Sequence, residues 1–174
     1  MSWDLLNRIA TIVTLVWIPS VFILYIWLRR KLKALLNLGK SKYISKRLSW
    51  KCSFDYSNNN WRYQLWKDEQ FFELMFSKAS DVSIHVYKDP PSIIWIAIAK
   101  WIYDISKIKD ASIYDMSSRS RTLQEWEIVI LKNIYWNFCA VKIIDIKDRT
   151  RNDDQDNVTF EYLINIGWYS DFRK

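Results

Sequence analysis

The sequence predicts an α+β fold: one N-terminal transmembrane helix followed by a compact β-rich α+β cytoplasmic domain. Three observations carry this expectation. A run of twenty residues from Ile9 to Leu28 holds no charge; nine Lys and Arg follow between residues 29 and 51 with no acid among them; and beyond residue 50 alternating segments are interspersed with stretches of helical period. The division that follows is 1–28 as anchor, 29–49 as a basic juxtamembrane collar and 50–174 as a single sensor or interaction domain.

The run from Ile9 to Leu28 is broken only by Thr11, Thr14, Pro19 and Ser20. At about 1.5 Å per residue, twenty residues reach roughly the 30 Å of a hydrocarbon core, which predicts a spanning helix. The positive charge after it places the N-terminus outside and the domain in the cytoplasm, a single-pass protein of the cell inner membrane, with Tyr25 and Trp27 at the interface. Pro19 removes a backbone donor in mid-span, which neighbouring helices of a homo-oligomer would help to satisfy. Asp4, Arg8, Thr11 and Thr14 follow helical spacing and form a polar stripe; it either faces another copy or lies in part among lipid headgroups. Leu28, Leu32, Leu35 and Leu36 continue an amphipathic segment toward anionic lipid, and Gly39 stops it.

In the domain, Trp50, Cys52, Phe54 and Tyr56 alternate with polar residues, and Asn58-Asn59-Asn60 leads to a second strand over Trp61 to Leu65, the pair reading as a hairpin. A helix is predicted from Asp68 through Phe71, Phe72, Met75 and Phe76. A strand follows over Val82, Ile84 and Val86, with His85 facing away from the apolar side. Pro90 and Pro91 open an apolar run from Ile93 to Ile105, too short to span a bilayer and read as a core helix. Thr122-Leu123-Gln124-Glu125 has the form of a capping box, with Trp126, Ile130 and Ile134 continuing a helical face. Phe138 to Lys147 and Val158 to Trp168 read as long strands joined by a solvated, mobile connection from Asp148 to Asn157.

Composition narrows function. Two Gly against eleven Trp and ten Tyr leave no P-loop and no dinucleotide fingerprint. The net charge of +7 resides in the nine basic residues between 29 and 51, leaving residues 52 to 174 at about −2, so a long nucleic acid is not an expected partner. Two distant cysteines and one histidine imply neither a disulfide scaffold nor a thiolate or His-rich metal site, and no cofactor is expected.

The strongest anion-site candidate is Ser117-Ser118-Arg119-Ser120-Arg121-Thr122, two guanidinium groups and several hydroxyls at a predicted helix start, with Tyr114 and Trp126 nearby to stack on a base. Asp145-Ile146-Lys147 with Asp115 permits a metal-dependent nuclease reading, though D-x-K is a common pair in a charged strand. Asp153, Asp154 and Asp156 lack the Gly and the terminal Glu of a calcium loop. His85 has no Arg in the six residues before it, which argues against the Arg-then-His pattern of one class of ribonucleases.

Anchor, collar and one small domain together resemble the small membrane effectors of prokaryotic antiviral defence, including those of CRISPR and cyclic-nucleotide signalling systems. The resemblance implies a non-enzymatic, oligomeric effector at the lipid bilayer. Its domain would bind a signal such as a cyclic oligonucleotide and rearrange the spanning helices, with Arg119 and Arg121 on phosphate and Thr11, Thr14 and Pro19 in the membrane step. The competing expectation is a non-catalytic, membrane-tethered adaptor or subunit, which an exposed aromatic patch without a concave basic cleft would favour.

Overall fold

The structure is a computed structural model and describes residues 23–29, 31–32, 44–45 and 48–173. Ten strands run through the described residues: β1 (Ile44–Ser45), β2 (Ser49–Phe54), β3 (Arg62–Leu65), β4 (Phe72–Ser80), β5 (Ser83–Tyr87), β6 (Ile93–Ile98), β7 (Ser120–Gln124), β8 (Ile128–Asn133), β9 (Phe138–Lys147) and β10 (Asn157–Asn165). They form two five-stranded sheets, ordered β1-β3-β4-β5-β7 and β2-β10-β9-β8-β6. Apart from the parallel β1–β3 pair, neighbours are antiparallel.

The sheets face one another because each strand turns alternate apolar side chains to a shared core. Tyr63, Leu65, Phe72, Leu74, Phe76, Ile84, Val86 and Leu123 of the first sheet meet Cys52, Phe54, Leu131, Val141, Phe160 and Tyr162 of the second in one buried cluster. Phe160 is its aromatic hub, with ring centroids 5.3 Å from Tyr63, 5.6 Å from Phe76 and 6.2 Å from Phe54.

The second sheet is buried on its other face too. Ile128, Ile130, Phe138 and Ala140 pack under Ile105, Ile108, Ala111 and Phe172, so the segment after β6 and the C-terminal segment make a third layer. These two segments are tied to each other by Ala111 N–H donating to the Ser170 carbonyl at 2.8 Å and Phe172 N–H donating to the Ile108 carbonyl at 2.9 Å. Every residue of β8 is consequently buried.

Loops are held by a repeated local device. In Asp55-Tyr56-Ser57, Asp104-Ile105-Ser106, Asp110-Ala111-Ser112, Asp115-Met116-Ser117 and Asp148-Arg149-Thr150, the Asp Oδ1 accepts from both the amide and the hydroxyl of the residue two positions on, at 2.6–3.0 Å. Such Asx turns reverse the chain without needing a ladder.

Several expectations are corrected. The fold is mostly β rather than α+β with a spanning helix, and no helix among the described residues is long and apolar enough to cross a membrane, which removes the support for a single-pass inner-membrane placement. Residues 23–29 and 31–32 are helical, and the rest of the run expected from Ile9 to Leu28 lies outside the described residues. Asp4, Arg8, Thr11, Thr14 and Pro19 lie outside the described residues.

The three helices expected in the domain are strands. Phe72, Leu74 and Phe76 face the core from β4 while Glu73 pairs with Gln64 across the ladder. Ile93–Ile98 is β6, and the region of the expected capping box is β7, a turn and β8. Glu125 caps no helix: its Oε1 accepts from the Ile146 amide at 3.1 Å. β2 and β3 form no hairpin, since they belong to different sheets. The connection after β9 is built around Asp148, whose side chain is 1% exposed.

Phe160→Ala removes the aromatic hub from a position with no exposed surface. A loss of about 3–5 kcal/mol in unfolding free energy is expected for such a truncation, measured by urea denaturation.

Candidate functional site

The Ser/Arg segment singled out from sequence lies on and just before β7, where each guanidinium already has a carboxylate partner. Arg119 donates through Nε and Nη2 to the two carboxylate oxygens of Asp89, at 2.8 and 2.6 Å. Arg121 donates through Nη2 to Asp115 Oδ2 at 2.9 Å and to the Asp115 carbonyl. Both carboxyls are held below the ordinary Asp range, Asp89 mainly by the Arg119 hydrogen bonds and Asp115 mainly by the Ser117 hydroxyl and amide and then by Arg121.

Three of the four hydroxyls are spent in the same way. Ser117 closes the Asp115 turn, Ser118 Oγ donates to the Ser120 carbonyl at 2.7 Å, and Thr122 Oγ1 lies 2.9 Å from His85 Nδ1. Tyr114 packs against the third-layer core, and Trp126 sits in the β7–β8 turn, its ring 5.3 Å from Lys142 Nζ. Asp145 pairs across the ladder with Thr159, and no group of three His, Cys, Asp or Glu among the described residues could hold a metal ion.

Three other constellations stand out. Lys78 Nζ lies 2.7 Å from Asp148 Oδ2 and 3.4 Å from Asp81 Oδ1, and it also bonds Thr150. Burial pushes the Asp148 carboxyl up, but the Lys78 ammonium and the Thr150 amide and hydroxyl outweigh it and hold the group at about 2. This cluster fastens β4 of one sheet to the loop after β9 of the other, which is a structural role.

Lys132 forms the second. Its Nζ lies 4.3 Å from the Trp95 ring centroid, 4.4 Å from Trp136 and 4.7 Å from Phe138. Burial depresses its pKa, and a cavity of about 430 Å³ opens beside it toward Trp136 and Trp168.

The third is a groove of about 380 Å³ on the outer face of the second sheet, lined by side chains that include Lys51, Asp104, Ser106, Glu161, Leu163 and Phe172. Lys51, Glu161 and Lys142 stand in one cross-strand row over β2, β10 and β9, and Lys142 Nζ is 3.6 Å from Glu161 Oε1. Asp104 is fixed at the rim by accepting from the Ser106 hydroxyl and amide, which lower its pKa. Leu163 and Phe172 give the groove an apolar floor continuous with the third-layer core. Sequence reasoning missed this site because its members come from four separate segments; the one legible signal was Glu161 and Leu163 on the polar side of an alternating strand.

No family model matches the chain, and comparisons with curated proteins and with solved structures find no match.

The Asp148 clamp has a definite pH signature. The folded pKa lies below the ordinary aspartate value of 3.8, so its stabilisation is present above about pH 4 and is lost as pH falls toward 2. The difference in unfolding free energy between the parent and Asp148→Asn should be about 2 kcal/mol at pH 7 and should shrink toward zero near pH 2, measured by urea denaturation across that range.

Proposed function

We propose that the domain is a non-catalytic interaction module that grips a segment of a partner protein in the groove between Lys51, Asp104 and Glu161. The observation that carries this reading is the groove itself: an apolar floor of Leu163 and Phe172 under a rim of oriented charges of both signs. An apolar centre with a polar rim is the anatomy of a protein-binding surface, and a concavity of a few hundred Å³ accommodates one or two side chains of a partner. The fixed carboxylates and lysines would select a segment of complementary charge pattern more than they would add affinity.

A cyclic oligonucleotide is less well served. Its phosphates need free guanidinium or amide donors, and Arg119 and Arg121 are already closed by Asp89 and Asp115. Arg119 is largely exposed, so its pair is a weak one that an anion could compete for, but Arg121 is mostly buried beside Asp115.

A photo-crosslinking residue at Lys51, in the full chain expressed in the cells that carry the gene, should yield one discrete adduct that disappears when Glu161→Lys is added. The same probe at the exposed Gln155 should give none. Equal adducts from both positions, or none from Lys51, would remove the groove as the binding surface.

A further inference from the structure

The backbone makes a demand that the sequence, as written, meets poorly. Nine described non-glycine residues have positive φ: Asn60, Asp68, Asn152 and six tryptophans, namely Trp61, Trp66, Trp101, Trp126, Trp136 and Trp168. Asn and Asp enter the left-handed region with little penalty, whereas a bulky residue there is an outlier, because its Cβ crowds the following carbonyl. The only glycine in the same part of the chain, Gly167, also has positive φ, at 79°.

The positions are those where turn geometry calls for glycine. Ile102 N–H donates to the Ala99 carbonyl, and Glu127 N–H donates to the Gln124 carbonyl, each at 3.3 Å, so Trp101 and Trp126 occupy the third position of a β-turn, with φ of 65° and 72°. That position takes glycine in a type II turn. Trp136, at φ 70°, is the last of the three residues looped out between Asn133 and Asn137, where Trp136 N–H donates to the Asn133 carbonyl and Asn133 N–H to the Asn137 carbonyl. The last residue of such a loop is the left-handed, glycine-favouring one.

Exposure and composition agree. From residue 48 onward the chain has eight tryptophans, and none is buried; seven are exposed and Trp66 is half-buried. Tryptophan is on average a highly buried residue, and recognition gives no reason for its backbone to turn left-handed. The whole chain has two Gly and eleven Trp, together 13 of 174 residues. Counting the six positive-φ positions as glycine gives eight Gly, about 5% of the chain against the roughly 7% that glycine takes in ordinary proteins.

We propose that the cell making this protein inserts glycine, not tryptophan, at positions 61, 66, 101, 126, 136 and 168, by decoding UGA as glycine. UGA is a stop in the standard genetic code, is read as tryptophan in some variant codes and as glycine in others, so one codon accounts for surplus and deficit together. The proposal is independent of the partner groove, since none of these positions supplies a side chain argued for there.

The decisive measurement is peptide mass spectrometry of the full chain isolated from cells that carry the gene, read beside the codons. UGA at all six positions and peptides with glycine there are the expected result. A UGG codon, or a peptide carrying the indole, at position 101, 126 or 136 overturns the proposal. The backbone argument is tested separately in the recombinant full chain by making all six positions Gly in one version and all six Ala in another. The version with Trp61→Gly, Trp66→Gly, Trp101→Gly, Trp126→Gly, Trp136→Gly and Trp168→Gly should melt higher than its alanine counterpart by about 2–4 °C per site, and equal melting temperatures would sink it.

Discussion

Left-handed backbone at the chain reversals is the constraint on which this sandwich depends. The β8–β9 turn shows why. Asn133 Oδ1 accepts from the amides of Tyr135 and Asn137, both at 3.0 Å, while its Nδ2 donates to the carbonyls of Glu69 and Phe71. Asn137 Nδ2 donates to the same Glu69 carbonyl, and its Oδ1 accepts from the Gly167 amide at 3.2 Å. One loop thus joins β8 to β9, to the segment before β4 and to the end of β10. It sets the register Ile130↔Ala140 and Leu131↔Cys139, and a slip of one residue would exchange the two buried faces of β9, taking Cys139 and Val141 out of the core between the sheets. That loop closes only with residue 136 at positive φ.

The strands that alternate cleanly are legible from the amino-acid pattern alone. β9 spans the residues that the pattern marks, and β5 and β10 follow from Ile84, Val86, Val158, Phe160 and Tyr162. What misleads is burial on two faces. β8 is apolar from Ile128 to Leu131 because the inner core lies on one side of it and Ile105, Ile108 and Phe172 on the other, and a continuous apolar run carries no period by which to tell strand from helix. Around β4, Phe71, Phe72, Met75 and Phe76 satisfy a helical face, while Phe72, Leu74 and Phe76 satisfy a strand; only packing against Phe54 and Phe160 separates the two. The capping-box pattern fails for a different reason, since Glu125 and Thr122 each find a more distant partner, the Ile146 amide and His85.

The candidate site was less legible than the fold. Arg119 and Arg121 look free in sequence because their acids are thirty residues away in one case and within a folded-back turn in the other. The recurrent Asp-x-Ser and Asp-x-Thr triplets were the available signal: they say that a serine two places after an aspartate is spent on closing a turn and not on a ligand. The groove is assembled by the ladder that sets Lys51 opposite Glu161 and by the third layer that brings Asp104 and Phe172 over β10. Neither relation is encoded in local pattern, because both depend on which strands become neighbours.

The identity of the residues at the turns decides which surface can act. Glycine at 136 and 168 would leave Lys132 against Trp95 and Phe138 alone, and the 430 Å³ cavity would lose both of the indoles that line it. Glycine at 61 and 66 would spell G-x-x-x-x-G-K over residues 61–67, the spacing of a phosphate-cradling loop. Yet Arg62–Leu65 is laddered to β4, with Arg62 opposite Met75 and Leu65 opposite Phe72, and Asp68 stands where a metal-binding hydroxyl is required. Amides committed to a strand cannot converge on an anion, so restoring glycine creates no nucleotide site. The Lys51, Asp104 and Glu161 groove keeps its carboxylates, lysines and apolar floor under either identity, and for that reason it carries the functional reading.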